Sequence, residues 1–336
     1  MEIIASELKE VLNRLSGILT NKGIVDNSDR FIFKEDVVYA FDGETLIQSK
    51  FETGVRGAVE GQSFLKYLDK MANSKIELVQ NENCIDVKKG RSVASFKTEV
   101  ENELPIEINN EIDWKKCPAN LLEAMTACSY TCGHDYTDMR TVVVHVKGDV
   151  AESTDEERIT RYSLKKKVKD EFFVPVDLIN HLSRFGIVNY ALSSDWLWFK
   201  NQNDDIICHR NISFGQEYPD LEQIVQQCQE GKTINFPDKM YDAVEKAAIF
   251  QSDLKIESDR KIVIRCKSNK IKVESHGTHG DYCEVLNTDL DKSFSFAINP
   301  SFLMQIMEKS DSIFFHPDYI RIETDNYVFL TTLAAE

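Results

Sequence analysis

The 336 residues contain no CxxC pair, no apolar run long enough to span a membrane and no excess of basic charge. Each absence excludes a class of protein. The eight cysteines stand singly, without the paired spacing of a disulfide framework, which points to reduced thiols in a cytosol. No stretch approaches the roughly 18 apolar residues that a span requires, so no membrane partner is expected. The opening string MEIIASELKEVLNRL is amphipathic and carries Glu2, Glu7 and Glu10, unlike a secretion signal. With 40 basic and 56 acidic residues the net charge is −16, which argues against a surface that attracts nucleic acid everywhere. A local basic face stays open.

Signatures of catalysis are also missing. There is no Gly-rich phosphate loop, nucleophile elbow or HExxH string, and no enzyme is expected. Cys128-x3-Cys132-x-His134 and His276-x2-His279-x3-Cys283 hold metal-ligating side chains, but neither has the spacing of a structural zinc site. Cys128 and Cys132 fit a buried helix stripe better, so no metal and no other cofactor is expected. Asp204-Asp205 falls in a polar hairpin turn, where carboxylates are common.

What the chain does have is a repeat. Residues 59–98, 172–212 and 294–333 share one shape. A short apolar strand and a small or turn residue precede a helix with apolar residues on a 3–4 spacing, and two alternating strands follow. Phe64-Leu65, Leu178-Ile179 and Phe302-Leu303 occupy equivalent helix positions. The copies start at residues 59, 172 and 294, more than 100 residues apart, so a whole domain is copied, since solenoid units recur every 20–50 residues. Helices are expected at 6–19, capped by Ser6, at 118–132 and at 237–250, one opening each copy. Strands are expected at 141–146, 159–164, 261–266 and 271–275, with a turn at Asp42-Gly43. Residues 148–158 read as a charged loop and 212–231 as a connection. The acidic segment 99–113, with Pro105, marks a boundary. The fold class is therefore α+β, with three similar domains at 1–110, 111–231 and 232–336 and six helices in all.

Several strings, in order, resemble the bacterial DNA sliding clamps, the β-subunit family of DNA polymerase III. Residues 327–333, YVFLTTL, are similar to the family's YVVMPMRL; Tyr218-Pro219-Asp220-Leu221 to its FPDY; Ala247-Ala248-Ile249-Phe250 to its AAIL. Gly90-Arg91-Ser92 is similar to its GRS, and Asp138-Met139-Arg140 to its D-x-R. The resemblance spans the whole chain. It implies that each chain forms a half ring, each domain having two helices packed on antiparallel sheets, and that a head-to-tail homodimer encircles duplex DNA. Twelve helices side by side at ~10 Å would leave a hole of ~30 Å, enough for a duplex and a layer of water. A protein held by topology needs little affinity, so the acidic balance is no obstacle.

The resemblance also implies site residues. Lys9, Arg14, Lys22, Lys66, Lys70, Arg184, Lys239, Lys246 and Lys309 would face the DNA, Lys22 matching a DNA-contacting arginine; for each, an ordinary solvated charge is the competing reading. A groove for short peptides of a DNA polymerase and clamp loader would comprise Val143, Thr154, Arg158, Ile159, Pro219, Gln223, Ile224, Val328, Leu330, Thr331 and Thr332. Here Glu156 replaces the family's glycine, Gln223 its arginine and Thr331-Thr332 its Pro-Met, so a more acidic groove is expected. Ala94 and Phe96 on one side, Ile249 and Phe250 on the other, would form the ring contact, with burial in the core as the alternative for Phe96. The departures fit a phage or divergent bacterial form, acting in the cytoplasm or the host cytoplasm. Two rivals remain: a clamp-fold binding hub or decoy that does not encircle DNA, and a metal-dependent nuclease using the Cys/His strings.

Overall fold

Two hydrophobic periods, 3.6 and 2, build the chain. The computed structural model describes residues 1–20, 25–71, 73–99, 112–133, 135–215, 217–254, 260–290 and 293–334. The expected DNA-facing Lys22, the histidine His134 and most of the 99–113 boundary, including Pro105, lie outside the described residues. The fold class is α+β, as expected. The chain divides into two compact units, one of Met1–Ser129, Val143–Asp149 and Leu164–Ser213, the other of Tyr130–Val142, Val150–Ser163 and Phe214–Glu336.

In the first unit, helix α1 (Ala5–Leu15) buries Ala5, Leu8, Val11, Leu12 and Leu15, the stripe that its 3–4 spacing requires. It starts before the expected Ser6 cap. Ile4 stands at the cap position without a side-chain bond, and the Ala5 N–H donates instead to the Ser74 carbonyl at 3.0 Å. An orphan donor satisfied by neighbouring backbone leaves a serine cap nothing to do. The helix also ends early, passing into a 3₁₀ turn at Ser16–Ile18. Helix α2 (Gly61–Met71) is opened by Glu60, whose carboxylate accepts the N–H of Gln62 at 3.0 Å and of Ser63 at 2.7 Å. Helices α3 (Leu121–Ser129) and α4 (Val176–Phe185) follow, and α1 packs on α2 as α3 packs on α4.

Two sheets of this unit carry α1 and α2. A four-stranded antiparallel sheet runs Glu2–Ile4, Lys75–Gln80, Cys84–Lys89, Ser92–Lys97. An eight-stranded sheet joins Thr45–Lys50 to Ile206–Arg210, with Leu46 opposite Cys208. Leu46, Ala191, Trp196, Trp198, Ile206 and Cys208 form one buried cluster over that seam. Strand Val143–Lys147 pairs with Phe172–Pro175.

In the second unit, a six-stranded run orders Val150–Thr154, Arg158–Ser163, Tyr327–Thr332, Tyr319–Glu323, Ser312–Phe315 and Lys232–Asn235. A four-stranded sheet orders Gly280–Asn287, Lys270–Gly277, Ile262–Lys267 and Phe294–Ile298. Residues 148–158 thus hold a strand where a loop was expected. The connection 212–231 holds a helix, α5 (Leu221–Gln227), whose cap Asp220 accepts the Gln223 N–H at 3.0 Å. Asp220 followed by Leu221 and Val225 at i,i+4 was the signal for it. Helices α6 (Met240–Ile249) and α7 (Pro300–Lys309) pack as the third pair, and Asn299 caps α7 on the Ser301 N–H. Their core includes Val244, Ile264, Leu303, Ile306, Ile320 and Phe329.

A close approach between a strand end and α6 admits only glycine. A Cβ on Gly277 would overlap the Phe250 carbonyl oxygen at the end of α6. Gly277→Ala is expected to lower stability by about 1–3 kcal/mol, read from the urea midpoint. An unchanged midpoint would mean that the strand can retreat from α6 without loss.

Candidate functional site

A groove in the second unit begins with a hairpin turn. Strands Val150–Thr154 and Arg158–Ser163 are joined through Asp155, whose Oδ1 accepts the N–H of Glu157 at 3.2 Å and of Arg158 at 2.7 Å. Thr154 Oγ1 donates to the Arg158 carbonyl at 2.7 Å and accepts the Glu156 N–H at 3.0 Å. Closing this turn forces Glu156 to φ +75, the left-handed region where glycine is at ease. The Glu157 carbonyl accepts the Thr332 N–H at 2.9 Å, which ties the turn to strand Tyr327–Thr332. Antiparallel pairing then sets Ile159 opposite Leu330 and Arg158 opposite Thr331.

Alternation along these strands sorts the expected residues into two faces. Ile159 and Leu330 point to the groove, where they pack with Leu221, Val225 and Tyr319 as a buried apolar floor. Above it lies a cavity of ≈ 410 Å³ whose lining includes Thr154, Ile159, Pro219, Ile224, Leu330 and Thr332. Six of the expected groove residues therefore meet at one place. Arg158 and Thr331 point the other way: the Arg158 guanidinium lies 3.8 Å from the Phe302 ring centre and is paired with Asp155 at 2.7 Å, and Thr331 is fully buried. Val328 packs against the floor cluster without lining the cavity. Gln223 is exposed on α5, and Val143 is buried in the first unit opposite Pro175.

Sequence reasoning placed Glu156 at the groove but not Asp138, Arg140, Thr141, Glu157, Leu221, Cys228, Asp318 and Tyr319, which also line it. Two signals were available: Leu221 belongs to the YPDL string, and Asp138 and Arg140 to the D-x-R string. Arg140 is paired with Asp138, its Nε lying 2.9 Å from Oδ1 and its Nη2 2.5 Å from Oδ2. Those hydrogen bonds hold the Asp138 carboxyl below its ordinary range and raise the guanidinium in turn. Tyr319 donates to the Glu230 carbonyl at 2.6 Å, which fixes its ring in the floor. Two further cavities of this unit, ≈ 300 Å³ beside Arg321 and ≈ 590 Å³ beside Phe315, contain none of the expected site residues.

The expected DNA-facing cations differ in how firmly they are held. Lys9 pairs with Asp69, and Arg14 reaches the buried Asp205 at 3.2 Å and Glu10 at 3.4 Å. Lys246 pairs with Glu284 at 3.1 Å. Lys66, Lys70, Arg184, Lys239 and Lys309 are exposed and make no ion pair among the described residues. At the expected ring contact, Phe96 is half-buried and meets Phe64 and Tyr67 edge to face at 4.8 and 5.4 Å. Ala94 is half-buried on the same strand. Phe250 stacks on Tyr282 at 5.9 Å, whereas Ile249 beside it is 65% exposed.

The Cys/His strings are dispersed into other roles. Cys128 is buried in α3, and Cys132 is buried with its thiol pushed up to about 12 by desolvation. His276 lies 2.7 Å from Asp281 and His279 3.2 Å from Asp253, while Cys283 is exposed. Among the described residues no group of three His, Cys, Asp or Glu side chains is placed to hold a metal ion, and no helix is long and apolar enough to cross a membrane.

No protein-family model matches the chain, and no curated protein matches it by sequence. Solved structures do match in fold. The DNA polymerase III subunit beta of Pseudomonas aeruginosa superposes with a TM-score of 0.81 at 14% identity, covering 99% of each chain. The beta chain of DNA polymerase III from Streptococcus pneumoniae gives 0.83 at 15% identity, over 100% of this chain and 99% of that one. The Helicobacter pylori beta clamp, solved with a DNA ligase peptide, gives 0.78 at 14% identity over 100% of both. The chain has the fold of the bacterial sliding clamps from one end to the other.

Two outcomes are expected from these side chains. Glu156→Gly should raise stability by about 0.5–1 kcal/mol, since a left-handed residue with a Cβ is strained by a similar amount; an unchanged or lower urea midpoint would show the turn to be unstrained. With Ellman's reagent at mildly alkaline pH, native protein should react at Cys283 while Cys117 and Cys132, both pushed up to about 12 by burial, wait for unfolding. Equal rates at all three would contradict that burial.

Proposed function

We propose that this chain is a processivity clamp of DNA replication. Two copies close head to tail into a ring around duplex DNA, and the groove of the second unit tethers a DNA polymerase and a clamp loader by short peptides. The observation that carries the reading is the fold match, which covers nearly the whole of both chains with TM-scores of 0.78 to 0.83. Three helix pairs, α1 with α2, α3 with α4 and α6 with α7, accord with three domains at 1–110, 111–231 and 232–336. Each half ring would contribute one helix pair per domain to the lining.

The ring contact has candidate surfaces in both units. Strand Ser92–Lys97 is the edge of one four-stranded sheet and Gly280–Asn287 the edge of another. Edge strands offer unpaired backbone donors and acceptors, and natural monomers avoid leaving apolar residues on them. Here Val93 is 54% exposed, Val285 52% and Ile249, on the helix beside the second edge, 65%. A head-to-tail contact that closes after two copies would cover all three. Lys66, Lys70, Arg184, Lys239 and Lys309 are the cations free to meet phosphate; Lys9, Arg14 and Lys246 would first have to leave a carboxylate. Contact with DNA would therefore be loose, as sliding requires. The groove, with a buried apolar floor and polar edges, suits one or two anchoring side chains, and tethering raises the local polymerase concentration.

In light scattering the protein should run at twice 38.6 kDa, and Ile249→Asp should reduce it to that single-chain mass. Ile249 is a cleaner target than Phe250, which is engaged with Tyr282 in its own unit. Loaded protein should stay on circular duplex and leave the same duplex once it is cut. A protein that is monomeric at micromolar concentration, or that leaves both substrates alike, would favour the binding hub that encircles nothing.

A further inference from the structure

We propose that the groove of the second unit selects short peptides in which an apolar anchor is flanked by lysine or arginine. This rests on the reading of the groove as a peptide site and adds the chemistry of its occupant. The lining has an apolar floor, and its charged groups are four acidic side chains, Asp138, Glu156, Glu157 and Asp318, against one cation, Arg140. That cation is already paired with Asp138 at 2.5–3.1 Å through three N–O contacts, so the two together bring no net positive charge to the lining. Beyond that pair the lining has three carboxylates and no further lysine or arginine, with His316 3.6 Å from Asp318. Glu156 and Glu157 are exposed at the hairpin turn, and Asp318 is exposed across the cavity.

Nearby guanidinium groups do not offset them. Arg158 is directed to the opposite face of its strand, under Phe302 and against Asp155. Arg321, also buried, is bound to Glu323 and to the Cys228 carbonyl. The acidic positions are fixed rather than floppy at their backbones. Glu156 is locked by the Thr154 and Asp155 bonds that close the turn, and the Glu157 carbonyl is anchored on Thr332. An acidic segment entering this mouth would meet like charge without relief, which is how a groove rejects a competitor. A basic flank gains where an acidic one loses, and the overall charge of −16 acts in the same sense at longer range.

The test is selection from a phage-displayed random-peptide library on the intact protein, followed by anisotropy titration of fluorescein-labelled representatives. Enriched peptides should share an apolar anchor with an adjacent Lys or Arg. Their affinity should fall about tenfold in the combined Glu156→Gln, Glu157→Gln, Asp318→Asn variant, three exposed charge pairs being lost, and should also fall as salt is raised. Binding should be lost in Ile224→Asn, which removes apolar surface at the partly exposed lip of the groove; unchanged circular dichroism excludes misfolding. Enrichment of neutral or acidic flanks, still sensitive to Ile224→Asn, would overturn the basic preference and leave the groove a peptide site. Enriched peptides indifferent to Ile224→Asn, or no enrichment at all, would overturn both.

Discussion

Everything at the groove depends on one pairing, strand Arg158–Ser163 with strand Tyr327–Thr332. Its register decides which side chains face the floor. With Ile159 opposite Leu330, two apolar residues stand side by side under the cavity, while Arg158 and Thr331 are turned to the other face. A slip of one residue would exchange those faces and put a guanidinium and a hydroxyl where the apolar floor now lies. The register is secured at its end by the Glu157 carbonyl on the Thr332 N–H and by the ring of Phe302 over Arg158. The hairpin turn that carries the acidic mouth is thereby held in place by the same backbone ladder that builds the floor.

The architecture was largely legible because it is written in apolar spacing. The six long helices and the threefold order of helix and strands follow from the 3–4 and alternating patterns, and α1, α4 and α7 bury the residues those patterns mark. Boundaries were less legible, since they depend on partners distant in sequence. Nothing local indicates that Ser74 would satisfy the Ala5 N–H and make a Ser6 cap unnecessary. The strand Val150–Thr154 was hidden by the charges around it, because Ala151 and Ser153 are buried small residues rather than branched apolar ones. Helix α5 was hidden by its brevity.

For the groove, resemblance located the right strands but could not assign sides within them. Ile159, Pro219, Ile224 and Leu330 are neighbours of Arg158, Gln223 and Thr331 in sequence, and only pairing and helix phase separate those that line the cavity from those that do not. The added acidity was legible in Glu156. Asp318 was not, because nothing in its own stretch marks it as facing a turn 160 residues earlier. Of the four residues that the resemblance marked for a ring contact, Ile249 is well exposed while Ala94 and Phe96 are half-buried and Phe250 is stacked on Tyr282; the exposed Val93 and Val285 were not marked.

The seam between Thr45–Lys50 and Ile206–Arg210 has a further consequence, for the order of events during synthesis. About 160 residues separate the two strands, so the edge of Thr45–Lys50 emerges from the ribosome long before its mate. At ~5–20 residues per second that interval is roughly 8–30 s, far longer than the microseconds in which a hairpin forms. Through that time Leu46 and Ile47 offer an apolar edge to any other nascent chain. Contacts this distant in sequence also slow folding itself. Strand Arg158–Ser163 of the second unit waits as long for Tyr327–Thr332, so the yield of both units should depend on translation speed and on chaperones that shield a waiting strand.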